Sequence, residues 1–281
     1  MSTLYVIATP IGNLSDMTTR AAETLRAVAV VFAEDTRVTQ KLLVHIGARP
    51  RLIGYHEDSP KRRLEEALAV LDEGDAALVT DAGTPGLSDP GAEIVREAAA
   101  RGHTVVPVPG PSAAAALLSV SGLPGGRFLF LGFLPRTQSE RTKLLRSAAQ
   151  ETGTVVCFEA PHRLRDALED LGQVFGGRWI VIGRELTKLY EEIFRGTAEQ
   201  ALLHFAEPRG EFVIAIEGAP ERTAEAGNEE VSATLIRLRG EGLSGRTLVE
   251  QAAAETGAAR SRVYRLSLKP ADQKPTDGRT G

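Results

Sequence analysis

Cysteine is nearly absent: one residue, Cys157, in a chain of 281. A single thiol closes no internal disulfide and builds no thiolate metal cluster, and its place in the apolar run TVVCF points to buried packing. Long hydrophobic runs are missing too. No stretch approaches the roughly 18 apolar residues of a membrane span, and the opening MSTLYVIATP enters an apolar strand with no basic leader. A cytoplasmic protein with no membrane attachment is expected. Neither G-x-G-x-x-G after the first strand nor G-x-x-x-x-G-K-[ST] occurs, so dinucleotide and P-loop phosphate cradles are unsupported. His45, His56, His103, His162 and His204 lack ligand spacing, and no metal site is expected. A basic excess is also wanting. The formal net charge of −4 argues against a uniformly basic coat for nucleic acid.

What is present is ordinary for a globular protein: 42% hydrophobic and 25% charged residues, with chain enough for a sizeable core and about two domains. Short β-branched runs alternate with amphipathic stretches of helical period. The strand candidates are LYVIAT, AVAVVFA, RLIGYH, AALVTD and TVVPVP, then FLFLGFL, TVVCFEA, WIVIGREL, EEIFRG and EFVIAIEG. Between them lie helices such as 60–72, where Leu64, Leu68 and Leu71 recur at spacings of four and three. This pattern predicts an α/β fold with covered sheet faces. Breaks at SGLPGGR and APERTAEAGNEE divide the chain into an N-terminal α/β domain (1–122), a second α/β domain (123–219), a linker (220–230), a C-terminal helical module (231–269) and a disordered tail (270–281). Two segments carry local positive charge: residues 127–165 hold seven Lys/Arg against three Glu, and 232–281 nine against five Asp/Glu.

Three loops stand where open α/β sheets bind ligands, at strand ends followed by helix N-termini. They are ATPIGNLSDMT, TDAGTPGLSDPG and VPVPGPSAAAALL, in the last of which Ser112 is the expected N-cap. Glycine lets main-chain amides and carbonyls approach a ligand closely, while proline stiffens the loop and reduces the entropy lost on binding. Together they imply a cleft shaped by backbone.

These loops, with AEDTR, GFLPR, FEAPHRL and GRELTKLYEE in this order, resemble the ribosomal RNA small subunit methyltransferase I family of the tetrapyrrole-methylase superfamily. The resemblance covers roughly residues 4–218 and extends weakly through SRVYRLSL. It implies two α/β domains with a cofactor cleft between them, a homodimer, and methyl transfer from S-adenosylmethionine to the ribose 2′-oxygen of a cytidine in the decoding centre of 16S ribosomal RNA, within the small subunit. It carries cofactor binding to Pro10, to Asp81, Ala82 and Gly83, to Ser112 and Ala113, and to Phe158, Glu159 and Leu186. Where corrin and porphyrin methylases begin with a G-P-G-D type loop, this chain reads TPIGNL, which favours the RNA branch.

The reaction needs an aligned acceptor and a group to take the hydroxyl proton. FAEDTR offers Glu34, Asp35 and Arg37 as the catalytic candidates; FEAPHR and GRELTK offer similar mixtures, and spacing does not choose the base. Pairs such as Glu185 with Lys188 also read as ordinary ion pairs. Arg136, Arg141, Lys143 and Arg146 after LGFLP, and Arg260, Arg262 and Arg265 in a helix-turn-helix-like C-terminal module, are the candidates for RNA phosphate contact. In that module Leu248, Ala252 and Ala253 are expected to face inward, and a helical cap bracing a dimer reads similarly. Two other functions remain open: methylation of a tetrapyrrole, another small molecule or a protein on the same fold, and a non-catalytic nucleic-acid-binding regulator.

Overall fold

All ten apolar runs are strands, in two sheets of five. The computed structural model describes residues 1–55, 61–220 and 227–268. The helix start at Pro60, His56, most of the linker and the tail from 270 lie outside them. In the first sheet β1 (Thr3–Ile7), β2 (Val30–Ala33), β3 (Arg51–Gly54), β4 (Ala76–Val79) and β5 (Thr104–Val108) run parallel in the order β3-β2-β4-β1-β5. The crossovers contain α1 (Thr19–Ala27), α2 (Thr36–Ile46), α3 (Lys61–Glu73) and α4 (Ala92–Ala100).

Strand alternation sorts the apolar side chains onto two faces. In β4, Ala77 and Val79 join Leu25 of α1 and Leu43 of α2, while Ala76 and Leu78 join Leu68 of α3 and Ile94 of α4. β4 therefore sits between β1 and β2, whose chains leave toward one face, while its own chain leaves toward the other. Such a reversal opens a crevice at the carboxyl ends of the strands.

The second sheet is mixed, in the order β6-β7-β10-β8-β9. β6 (Phe128–Phe133) runs parallel to β7 (Thr154–Glu159); β8 (Ile180–Arg184), β9 (Glu192–Gly196) and β10 (Phe212–Ile216) complete it with antiparallel pairings. One face, with Val155, Cys157, Ile182 and Ile214, is covered by α6 (Gln138–Ala148), α7 (Leu164–Phe175) and α8 (Ala198–His204). Cys157 is fully buried there, as its apolar run suggested, and burial pushes its thiol pKa well up. The opposite face, with Val156, Val181, Val213 and Ala215, meets α5 (Ala113–Ser121) through Ala114 and Leu117, together with Ile11 from the loop after β1. Helix α5 follows β5 of the first sheet, yet spends its apolar surface on the second.

The break expected at 121–127 falls between α5 and β6, inside a compact unit spanning Met1–Ala219. The other unit, Pro220–Gly281, contains α9 (Asn228–Gly240), α10 (Gly245–Thr256) and α11 (Arg260–Ser267) around Val231, Leu235, Leu248, Ala252 and Val263, with Ala253 half-buried beside them. The expected linker is shorter than 220–230. Residues 228–230 form the first turn of α9, where Glu229 and Glu230 suit the positive end of the helix dipole although they carry no apolar period. Ser112 precedes α5 in extended conformation but makes no side-chain cap bond.

Leu117 is fully buried between α5 and the second sheet. We expect Leu117→Ala to lower unfolding stability by roughly 2–5 kcal/mol in urea titration.

Candidate active site

The crevice is built from main chain. Thr9 and Gly83 exchange a pair of backbone hydrogen bonds, Thr9 N–H to the Gly83 carbonyl at 2.9 Å and Gly83 N–H to the Thr9 carbonyl at 3.1 Å. The Thr9 hydroxyl donates to the Thr80 carbonyl at 3.1 Å, and Ala8 N–H donates to the Val108 carbonyl at 3.1 Å. Gly83 has φ +86°, a conformation that a residue with a Cβ rarely takes. The loops after β1, β4 and β5 are thus laced edge to edge. They bring Pro10, Asp81, Ala82, Gly83, Ser112 and Ala113 to one rim, with Pro10 buried and Ala82 exposed.

Beside that rim lie carboxylates delivered by β2 and β4. Glu34 accepts the Asp81 N–H at 3.3 Å, and Asp81 in turn accepts the Asp35 N–H at 3.0 Å. Asp35 caps α2 by accepting the Arg37 N–H at 2.8 Å, and binds the exposed Arg37 guanidinium at 2.5 Å. The Arg37 side chain and amide hold the Asp35 carboxyl down at about 2. Asp35 and Arg37 are therefore engaged with each other, while Glu34 faces the loop after β4. Asp89 joins this group from the far end of the same loop. Burial, and then the negative charges of Glu34 and Asp81, push its pKa up to about 7 against the opposing effect of the Thr80 hydroxyl. Asp81 is also raised, first by burial. Among the described residues no group of His, Cys, Asp or Glu has the arrangement of a metal site.

The second sheet contributes an apolar wall. Phe158 and Leu186 belong to the same cluster as Ile11 and Ala113, so two loops, a strand and a helix start distant in sequence meet there. Glu159 requires a correction. Its neighbour Phe158 faces the wall, so the strand period turns the Glu159 side chain to the opposite face. It is buried there, paired with Arg163 at 2.5 Å, with its pKa raised by burial. Only its main chain remains on the path of β7. Glu185 and Lys188 form the ion pair that the sequence allowed, at 2.9 Å.

Two kinds of comparison bear on this geometry. The family model described as Tetrapyrrole (Corrin/Porphyrin) Methylases matches residues 3–202. The protein named ribosomal RNA small subunit methyltransferase I from Synechocystis sp. is 45% identical over 274 residues, which cover 96% of this chain and 98% of that one. The chain belongs to this family. Its Escherichia coli O157:H7 member is 40% identical over 95% of this chain and 94% of its own length; the Thermotoga maritima member is 44% identical over 78% of this chain and 99% of its own. Among solved structures, the methyltransferase CobJ superposes with a TM-score of 0.59 at 21% identity, covering 78% of this chain and 95% of that one. Diphthine synthase does so at 0.55 and 17%, covering 78% and 90%. These two show the shared fold. As a member of the family the chain is a methyltransferase, and its crevice, with Phe158 and Leu186 of the wall, lies within the residues 3–202 that the family model matches.

The basic candidates separate once their burial is known. Arg136, Lys143 and Arg146 are exposed. Arg141 is the second correction: it is only 3% exposed, and its Nε donates to Asp170 Oδ2 at 2.7 Å while Gln138 donates to the other Asp170 oxygen at 3.2 Å. The reason is helical spacing. Residues 141, 145 and 148 share one face of α6, and Leu145 and Ala148 are core. In the C-terminal unit Arg260 lies 3.8 Å from Glu250, Arg262 donates to Asn228 Oδ1 at 2.9 Å, and Arg265 is exposed. Asp89 is the residue that sequence reasoning left without a role. It stands in the loop already singled out, but the charge of Glu34 that acts on it comes from another strand.

Removing one member of a buried ion pair strands the other in a poor solvent for charge. We expect Arg141→Ala to lose about 3–5 kcal/mol in urea unfolding. Arg141→Met combined with Asp170→Leu should recover most of that loss.

Proposed function

We propose that this methyltransferase moves the methyl group of S-adenosylmethionine to the ribose 2′-oxygen of a cytidine in the decoding centre of 16S ribosomal RNA, within an assembled or nearly assembled small subunit and as a cytoplasmic homodimer. The observation that carries this reading is the 45% identity, over nearly the whole of both chains, to a protein named for methylation of small-subunit ribosomal RNA. The crevice supports it. S-adenosylmethionine combines an adenine, a ribose and a charged amino acid end without phosphates. An apolar wall beside a rim of main chain and carboxylates suits that mixture better than it suits a phosphate chain.

On this reading Pro10, the main chain of Asp81, Ala82 and Gly83, and Ser112 and Ala113 hold the donor from one side, with Phe158, the Glu159 main chain and Leu186 from the other. The bound donor supplies a methyl group activated by a positively charged sulfur. The carboxylates next to the rim favour such a cation. For in-line transfer the chain has to fix the acceptor oxygen and receive its proton. Asp89 is the carboxyl best matched to that task, because an acceptor titrating near 7 takes a proton more readily than one near 4. Burial first, and then the charges of Glu34 and Asp81, keep its pKa high, and Glu34 also pins the loop through the Asp81 amide. The exposed Arg136, Lys143 and Arg146 would meet RNA phosphates, and so would Arg265 with Arg260 and Arg262.

The test is incubation of the purified protein with labelled S-adenosylmethionine and either bare or subunit-assembled 16S RNA. Label in a single alkali-resistant ribose linkage is expected, whereas donor binding without RNA label would return a small molecule or protein as the acceptor. Failure to bind the donor would leave a regulator.

Asp89 also predicts two pH dependences. As the base it must be ionised, so kcat should rise through about pH 7 and then level off, and Asp89→Asn should lower kcat by roughly 10²–10⁴-fold with donor binding retained. A carboxyl raised from 3.8 to about 7 on folding contributes stability that is complete below its ordinary value and is lost as pH climbs through about 7. Asp89→Asn should therefore melt above the wild type at pH 8, with the difference closing toward pH 4.

A further inference from the structure

The turn between β8 and β9 is strained. Glu185 (φ +49°) and Thr187 (φ +67°) both adopt left-handed backbone without being glycine, which is uncommon for any residue and an outlier for a β-branched one. Its neighbours hold it there. Lys188 Nζ donates to Glu185 Oε1 and to Glu211 Oε2, each at 2.9 Å, and Thr187 N–H donates to Glu191 Oε2 at 2.5 Å. Strain maintained in this way is found at ligand clamps more often than elsewhere.

A shallow pocket opens between this turn and the loop after β1, lined by Gly12, Asn13, Leu14, Thr187, Lys188 and Leu189. Gly12 is required for the approach, since a Cβ there would lie 2.4 Å from Lys188 Cγ. The pocket adjoins the donor crevice through sequence neighbours, for Ile11 and Leu186 belong to the wall itself. Two of the lining side chains are apolar and open to solvent, Leu189 at 87% exposed and Leu14 at 44%, and Tyr190, the next residue in the chain, is 70% exposed. Two polar groups are left over. The Thr187 hydroxyl oxygen is buried and has no hydrogen-bond partner among the described residues. Asn13 Oδ1 accepts the Ser15 N–H at 3.0 Å, which leaves the Asn13 amide hydrogens to donate.

We infer that this pocket receives the unstacked base of the acceptor nucleotide. The inference rests on the RNA-methylation reading and names how that substrate is gripped. An acceptor ribose at the crevice holds its base one sugar's width away, and the pocket adjoins the crevice through Ile11 and Leu186. Single-stranded RNA is recognised by stacking splayed bases on aromatic and apolar side chains and by hydrogen bonds to their edges. Tyr190, Leu189 and Leu14 supply the apolar surface. The Asn13 amide supplies a donor for the O2 or N3 of a cytosine, and the Thr187 hydroxyl answers a further polar group of the nucleotide. The turn is thus a positioning and specificity element, distinct from the group that takes the proton.

The test uses the full-length protein, labelled S-adenosylmethionine and undermethylated small subunits. The Leu189→Ala, Tyr190→Ala double variant should raise KM for RNA roughly tenfold, as loss of a base-stacking surface does, with donor affinity and melting temperature unchanged. Leu203→Ala, equally exposed on α8, should match the wild type. Thr187→Gly should melt higher, because glycine relieves the strain, yet bind RNA more weakly; Thr187→Ser should retain the wild-type KM. A Leu189→Ala, Tyr190→Ala variant that keeps the wild-type KM overturns the inference while leaving the function standing. So does a KM rise accompanied by loss of the dimer in sedimentation, which would make the patch a subunit contact. A wild type that binds donor but methylates no RNA removes both.

Discussion

Everything in the first unit depends on one apolar contact, the packing of α5 and Ile11 against the inner face of the second sheet. That face carries Val156, Val181, Val213 and Ala215, and without a cover it would expose a hydrophobic surface large enough to aggregate. Helix α5 is rich in alanine and lets the sheet approach closely. The same contact aligns the carboxyl ends of β1, β4 and β5 with Phe158 and Leu186. A crevice with a main-chain rim and an apolar wall is then a consequence of how two sheets bury a shared helix, before any ligand is considered.

Charge is handled in two opposite ways around this frame. On the helical side of the second sheet Arg141 with Asp170, and Glu159 with Arg163, are buried as closed pairs, with Arg163 also donating to the Leu134 carbonyl at 3.0 Å. These pairs tie the segment after β6 to α7. At the crevice, carboxylates crowd together beside the exposed guanidinium of Arg37, and that arrangement works against stability at neutral pH. Like charges held near one another are the usual means of tuning a proton acceptor. The strained turn at 185–188 has the same character, local instability retained beside a site and offset by packing elsewhere.

Much of this was legible from residue order. The β-branched runs TVVCFEA and EFVIAIEG announced strands because period-two burial on both faces leaves them continuously apolar. The glycine and proline clusters after β1, β4 and β5 announced the rim, because strand-end loops of open sheets have a place in space that topology dictates. Other readings failed for equally physical reasons. Arg141 looked like a surface cation because a charge run conceals which positions share the helix face of Leu145 and Ala148. The motif that holds Glu159 does not state that this side chain points away from the wall and leaves only its main chain there. The linker was drawn too long because the first turn of α9 consists of acidic cap-proximal residues with no apolar signal.

Sequence by itself determined the element types, the two-sheet α/β class, the backbone-lined loops and the family, since all of these follow from short-range pattern and ordered motifs. Tertiary structure alone decided that α5 serves the second sheet and that Asp89 lies within electrostatic reach of Glu34. It also decided that Thr187 sits strained over a pocket beside the wall. Those relations join positions tens of residues apart, and the free energy that brings them together comes from burial and exclusion of water, which no local window of the chain records.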